Sequence, residues 1–133
     1  MKTTLVLLIA IFSLSAFSQE VVKETWTCKN NNLSFTAVVT EMGVENKLSI
    51  SYQWDAVVLT PVAGQSFLDE TMKTELEGEF YQGHDLYNYK ATLTKGAEEG
   101  KGKLVIISDM FLDCLGQRVE TDMVNCKIVI ERK

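Results

Sequence analysis

Few side chains in this chain are equipped for chemistry, and their spacing narrows what they can do. There is one histidine, His84. To act as a general base it needs a nucleophile within hydrogen-bond reach and an acid to orient it. Its neighbour Asp85 points elsewhere in most turn geometries, so His84 reads as an exposed turn residue. A single histidine excludes a histidine-rich metal site, and any Ser-His-Asp triad that rests on another histidine. The sequence contains no CxxC pair, glycine-rich phosphate loop, nucleophile elbow or HExxH. These residues predict no catalytic site, no metal and no cofactor, hence a protein that is not an enzyme.

The three cysteines are Cys28, Cys114 and Cys126. In an exported chain that number predicts one disulfide and one leftover thiol. The preferred pairing is Cys114–Cys126, which closes a loop of about a dozen residues and contributes about 3 kcal/mol in the chain-entropy model. The alternative, Cys28–Cys126, ties the first strand to the last, as a closed barrel allows, and Cys28–Cys114 is the third choice. With the preferred pairing Cys28 is the odd thiol. It shares a strand face with Trp26, so it reads as a buried, inert thiol or a disulfide partner more than as a reactive or metal-binding one.

Glu75, Glu77 and Glu79 form an acidic stripe, because alternate residues of a strand share a face. This is the partner-binding candidate, a docking surface for a basic protein. A weak Ca²⁺ site is a further option if Asp69 or Glu70 joins. The plainer reading is a solvated face that discourages edge-to-edge pairing. Tyr52, Trp54, Phe80, Tyr87 and Tyr89 line a ligand cavity if the barrel is open. In so short a chain they are expected to fill the core instead.

Several elements must hold these residues in place. Residues 1–18 read as a secretory signal peptide: a basic start at Lys2, an apolar core, and small residues Ala16 and Ser18 before the cleavage point. That leaves 19–133 as one domain, exported to the periplasm or the exterior. The apolar run is too short to span a bilayer, so no membrane insertion is expected. The net charge of −5, or −6 without Lys2, argues against nucleic acid and anionic membranes as partners. Hydrophobic residues make up 46% and charged residues 23%, the balance of a folding chain.

Beyond residue 18 the pattern has period two, punctuated by Gly, Asn and Asp, with one proline, Pro61. Residues 22–29 alternate Trp26 and Cys28 against Thr25, Thr27 and Lys29. The Asn30-Asn31-Asn32 triplet breaks that strand and contains the glycosylation sequon Asn32-Leu33-Ser34. Residues 33–40 and 47–54 are expected to form a hairpin around a turn at 41–46, with Leu48, Ile50, Tyr52 and Trp54 inward. Residues 66–72 read as one helical turn or as a loop crossing the barrel end.

If Gly83-His84 is a two-residue turn, Phe80 faces Tyr87, Gly78 faces Tyr89, and Leu76 faces Ala91. The other face then pairs Glu79 with Asn88, Glu77 with Lys90, and Glu75 with Thr92. A slip of one residue would put Glu77 in the core. Residues 94–103 read as a mobile charged loop. Runs at 104–108 and 123–131 form a C-terminal antiparallel pair around a turn at 113–116.

The fold expected is all-β, a single-domain antiparallel meander of about eight strands closed as a small barrel or sandwich. In outline it resembles the small periplasmic inhibitors of lysozyme, which combine a signal peptide, an acidic β-barrel and a disulfide. That likeness carries over no site residue. The function expected is an exported protein-binding or inhibitor module whose partner is basic. The alternative is a carrier of a small apolar ligand inside the barrel.

Overall fold

The structure is a computed structural model that describes residues 20–68 and 73–133. Asp69, Glu70 and the 1–18 segment lie outside the described residues. Eight strands follow one another: β1 (Val21–Lys29), β2 (Leu33–Thr40), β3 (Gly43–Ile50), β4 (Thr60–Pro61), β5 (Lys73–Gln82), β6 (Asp85–Lys95), β7 (Lys101–Leu112) and β8 (Gly116–Arg132). They form one antiparallel sheet in the order β3-β2-β1-β8-β7-β6-β5-β4. The sheet curls into a nearly closed barrel. Between the two ends of this order, Leu48 of β3 and Val57 exchange both backbone hydrogen bonds, at 2.7 and 2.8 Å.

Alternation gives the barrel its inside and outside. Glu24, Trp26 and Cys28 of β1 are buried, as are Val124, Cys126 and Ile128 of β8, while Lys127, Val129 and Glu131 are exposed. One continuous cluster fills the interior, and its fully buried large members include Trp26, Phe35, Leu48, Leu59, Leu76, Tyr89, Leu93, Leu104 and Ile106. Close packing explains Gly102. A Cβ there would sit 2.5 Å from the Trp26 ring and 2.9 Å from the Thr94 carbonyl oxygen, so the tryptophan lies directly on bare backbone.

The β5–β6 hairpin has the expected register throughout, from Glu75↔Thr92 to Phe80↔Tyr87 and Gln82↔Asp85. Gly83 takes a φ of 63°, as the first position of a II′-type turn demands. At β1–β2 the Asn30 side chain explains the break: its Oδ1 accepts the backbone N–H of both Asn32 and Leu33 at 2.8 Å.

Three expectations need correction. The β2–β3 turn is only Glu41-Met42, since Thr40 pairs with Gly43, and β3 ends at Ile50 instead of 54. Val44 joins the core, while Trp54 is 78% exposed and Tyr52 44%. Residues 51–54 leave the strand, so the period that placed both rings inward stops applying. Second, the C-terminal hairpin is far longer than the runs at 104–108 and 123–131. Its pairing runs from Lys101↔Lys127 to Leu112↔Gly116, and of the segment 94–103 read as a charged loop only 96–100 lie outside the strands.

The third correction is the disulfide, which joins Cys28 to Cys126 and not Cys114 to Cys126. Cys114 sits in the β7–β8 turn and is the free, exposed thiol. About ten strand residues at ~3.3 Å each separate that turn from Cys126, far beyond disulfide reach. Cys28 is the direct cross-strand neighbour of Cys126.

Candidate functional site

On the outer face of β5 the sheet register builds a surface no single strand could show. Glu75, Glu77 and Glu79 are all exposed. Across the sheet from Glu79 lie Asn88, then Asp109, then Val119. From Glu77 the row continues through Lys90 and Ile107 to Thr121, and from Glu75 through Thr92 and Val105 to Met123. A shallow cleft of about 590 Å³ lies here, bordered by Glu77, Glu79, Asp109, Lys90, Ile107 and Val119. The apolar members are well exposed: Ile107 41%, Val119 59% and Met123 66%.

The electrostatics of this face are poorly compensated. Lys90 stands opposite Glu77 in the ladder, yet the ion pair the face does contain is Lys73 to Glu75, 3.9 Å apart. Both partners are more than half exposed, so that pair is worth a few tenths of a kcal/mol at most. Among the described residues Glu77, Glu79 and Asp109 have no ion-pair partner. Asp109 accepts one hydrogen bond, from Gln117 Nε2 at 2.9 Å.

The other candidates fall elsewhere. His84 is an exposed turn residue, and the Asp85 carboxylate is engaged with the backbone N–H of Asp113 at 2.8 Å. Among the described residues no three His, Cys, Asp or Glu side chains converge as metal ligands. The aromatic set divides. Tyr87 stacks on Tyr89 with centroids 6.4 Å apart, and Tyr52 and Phe80 lean on Tyr87 at 5.9 and 6.2 Å. Gln53 Nε2 donates to the Tyr89 hydroxyl. Burial pushes the Tyr87 and Tyr89 phenols above their ordinary range, and burial followed by the charge of Glu120 does the same to Tyr52. Burial holds the Tyr87 and Tyr89 phenols protonated within the core, while Tyr52 stays partly exposed beside them.

At the opposite barrel end Glu24 is fully buried and ion-paired with Lys95. Its other oxygen accepts the Trp26 indole N–H at 3.3 Å. Set against family profiles, curated proteins and solved structures, the chain gives no significant match. Its own geometry is therefore what carries a functional reading.

Sequence reasoning found the three glutamates but missed Asp109, Ile107, Val119 and Met123, which complete their face. The signal lay in the long β7–β8 register, which the shorter strands expected there concealed. Glu24 was missed too, although its parity with Trp26 and Cys28 marks it as inward.

Proposed function

We propose that the protein is an exported, non-catalytic binding module that docks a basic protein on the outer face of β5–β8. The observation that carries this is the juxtaposition of Glu75, Glu77, Glu79 and Asp109 with the exposed Ile107, Val119 and Met123. Uncompensated carboxylates beside apolar side chains suit an interface with an apolar centre and a charged rim. A cationic partner turns the mutual repulsion of the glutamates into attraction and speeds encounter in a salt-dependent way. Export is supported by the Cys28–Cys126 disulfide, which suits an oxidising compartment.

The packing favours docking over carriage. A carrier needs an internal cavity of some hundreds of Å³. Here Trp26, Phe35, Tyr89 and their neighbours occupy the interior.

The test is calorimetric binding of a cationic protein such as lysozyme at low and moderate salt. The parent should bind, with affinity falling as salt rises. The Glu75→Gln/Glu77→Gln/Glu79→Gln variant should bind about tenfold more weakly, as expected for three rim charges. Equal affinity for both proteins, or no binding by either, overturns the proposal.

A further inference from the structure

The outer face also carries a patch of the opposite sign. Lys101 and Lys127 are direct cross-strand partners on β7 and β8. Two residues along β7, Lys103 pairs with Asn125. Lys29 stands on the far side of Asn125, one step beyond the Cys28↔Cys126 pair. All four lysines are exposed and line an open cleft of about 750 Å³, together with Thr27 and Thr94. With strands about 4.8 Å apart and same-face residues about 7 Å apart, four ammonium groups share a patch on the order of 10–15 Å across.

Among the described residues they are only weakly neutralised. The acidic side chain bordering the cleft is Glu98, 3.2 Å from Lys101 Nζ, and both groups are about 70% exposed. Such a pair contributes little. Among the described residues Lys29, Lys103 and Lys127 have no ion-pair partner. Like charges directly opposite in a ladder are destabilising, and this acidic chain has ample carboxylates with which to relieve them. Four of them, Glu75, Glu77, Glu79 and Asp109, gather on the outer face of β5–β7 instead. The charge is segregated, so a net value of −5 misdescribes this surface.

The side chains interleaved with the lysines are Thr27, Thr94 and Asn125, which offer hydroxyl and amide hydrogen bonds. Among the described residues no aromatic ring borders the cleft to stack a nucleobase, and no large apolar side chain borders it to enter a bilayer. We propose that this cleft binds an oligosaccharide bearing sulfate or phosphate esters. The lysines meet the ester oxyanions, while Thr27, Thr94 and Asn125 meet sugar hydroxyls.

The test uses the folded protein and fluorescence anisotropy of a labelled, heparin-derived hexasaccharide, with a phosphorylated oligosaccharide in parallel. The desulfated hexasaccharide, inorganic polyphosphate and anionic phospholipid vesicles are the competitors. Lys101→Gln/Lys127→Gln should weaken binding about tenfold. Lys23→Gln/Lys133→Gln, which removes the same net charge elsewhere, should change it less than about twofold. The proposal is overturned if the parent does not bind, or if the two variants lose affinity equally. It is also overturned if polyphosphate competes as well as the sulfated sugar, which would make charge alone sufficient. Capture by vesicles without capture of either esterified sugar would assign the patch to a membrane surface instead.

Discussion

Burial determines the behaviour of the tyrosines at the residue scale. Tyr87 and Tyr89 are nearly inaccessible, at 5% and 1% exposure, and burial raises both phenol pKa values above 10.0. The folded state therefore holds these protons more tightly than the unfolded state does. By linkage, the stability this represents is fully present below pH 10, the ordinary phenol value, and declines as pH rises past it. Denaturant midpoints measured from pH 8 to 11 should be flat and then fall. Absorbance at 295 nm should show these phenols ionising together with unfolding. Tyr89→Phe should lessen the alkaline fall, and a midpoint that stays constant to pH 11 would contradict the assignment. The buried Glu24–Lys95 pair belongs to the same scale. It was hard to read because a charged residue on an inward position looks like an error of register until its partner, seventy-one residues away, is seen.

The elements show where local pattern suffices and where it does not. The β5–β6 hairpin was legible because turn chemistry at Gly83 and an inward Leu76 both demand one register. The seam beside β3 was not, because apart from the Leu48–Val57 backbone pair it is bridged by side-chain amides. Asn46 receives the Leu59 N–H on Oδ1 at 2.8 Å and donates to the Leu59 carbonyl at 2.7 Å. Gln65 does the same for Glu75, accepting its N–H at 2.5 Å and donating to its carbonyl at 2.8 Å. Gln82 accepts from the Trp54 N–H at 3.1 Å and donates to the Tyr52 carbonyl at 3.3 Å. Each amide accepts a backbone N–H and donates to a backbone carbonyl as a peptide group does, and at Glu75 it joins the Val62 N–H, which the same carbonyl accepts at 2.9 Å. No periodicity announces this, since an amide at a strand edge looks merely polar. Asn46→Ala should cost about 1–3 kcal/mol by leaving the Leu59 groups unsatisfied. Hydrogen exchange should then accelerate at Val57 and Leu59 while the β5–β6 amides stay protected. Uniform acceleration across the sheet would mean the seam is not a separate unit.

At the scale of the whole molecule, two features depend on long-range register: the segregated charge and the covalent link. The segregated charge escaped the sequence, and Cys28–Cys126 was only the second-choice pairing, because sequence does not show which strands lie side by side. The disulfide spans a separation of 98 residues. Closing so long a loop limits the unfolded chain, and Cys28→Ser/Cys126→Ser should cost about 2–5 kcal/mol. Urea unfolding of that variant beside the parent checks this, and an unchanged midpoint would refute it. The reason the link lies there emerges from the strand order. Read around the barrel from β4, the strands run β4, β5, β6, β7, β8, β1, β2, β3. That is chain order on a circle. Every neighbouring pair in that order but one is consecutive in the chain, and the exception is β1 beside β8, where Val21 pairs with Arg132. The molecule is thus a cyclic up-and-down meander written as a linear chain with its break in the middle of the sheet. Cys28–Cys126 supplies a covalent connection at the one neighbouring pair whose strands are not consecutive in the chain.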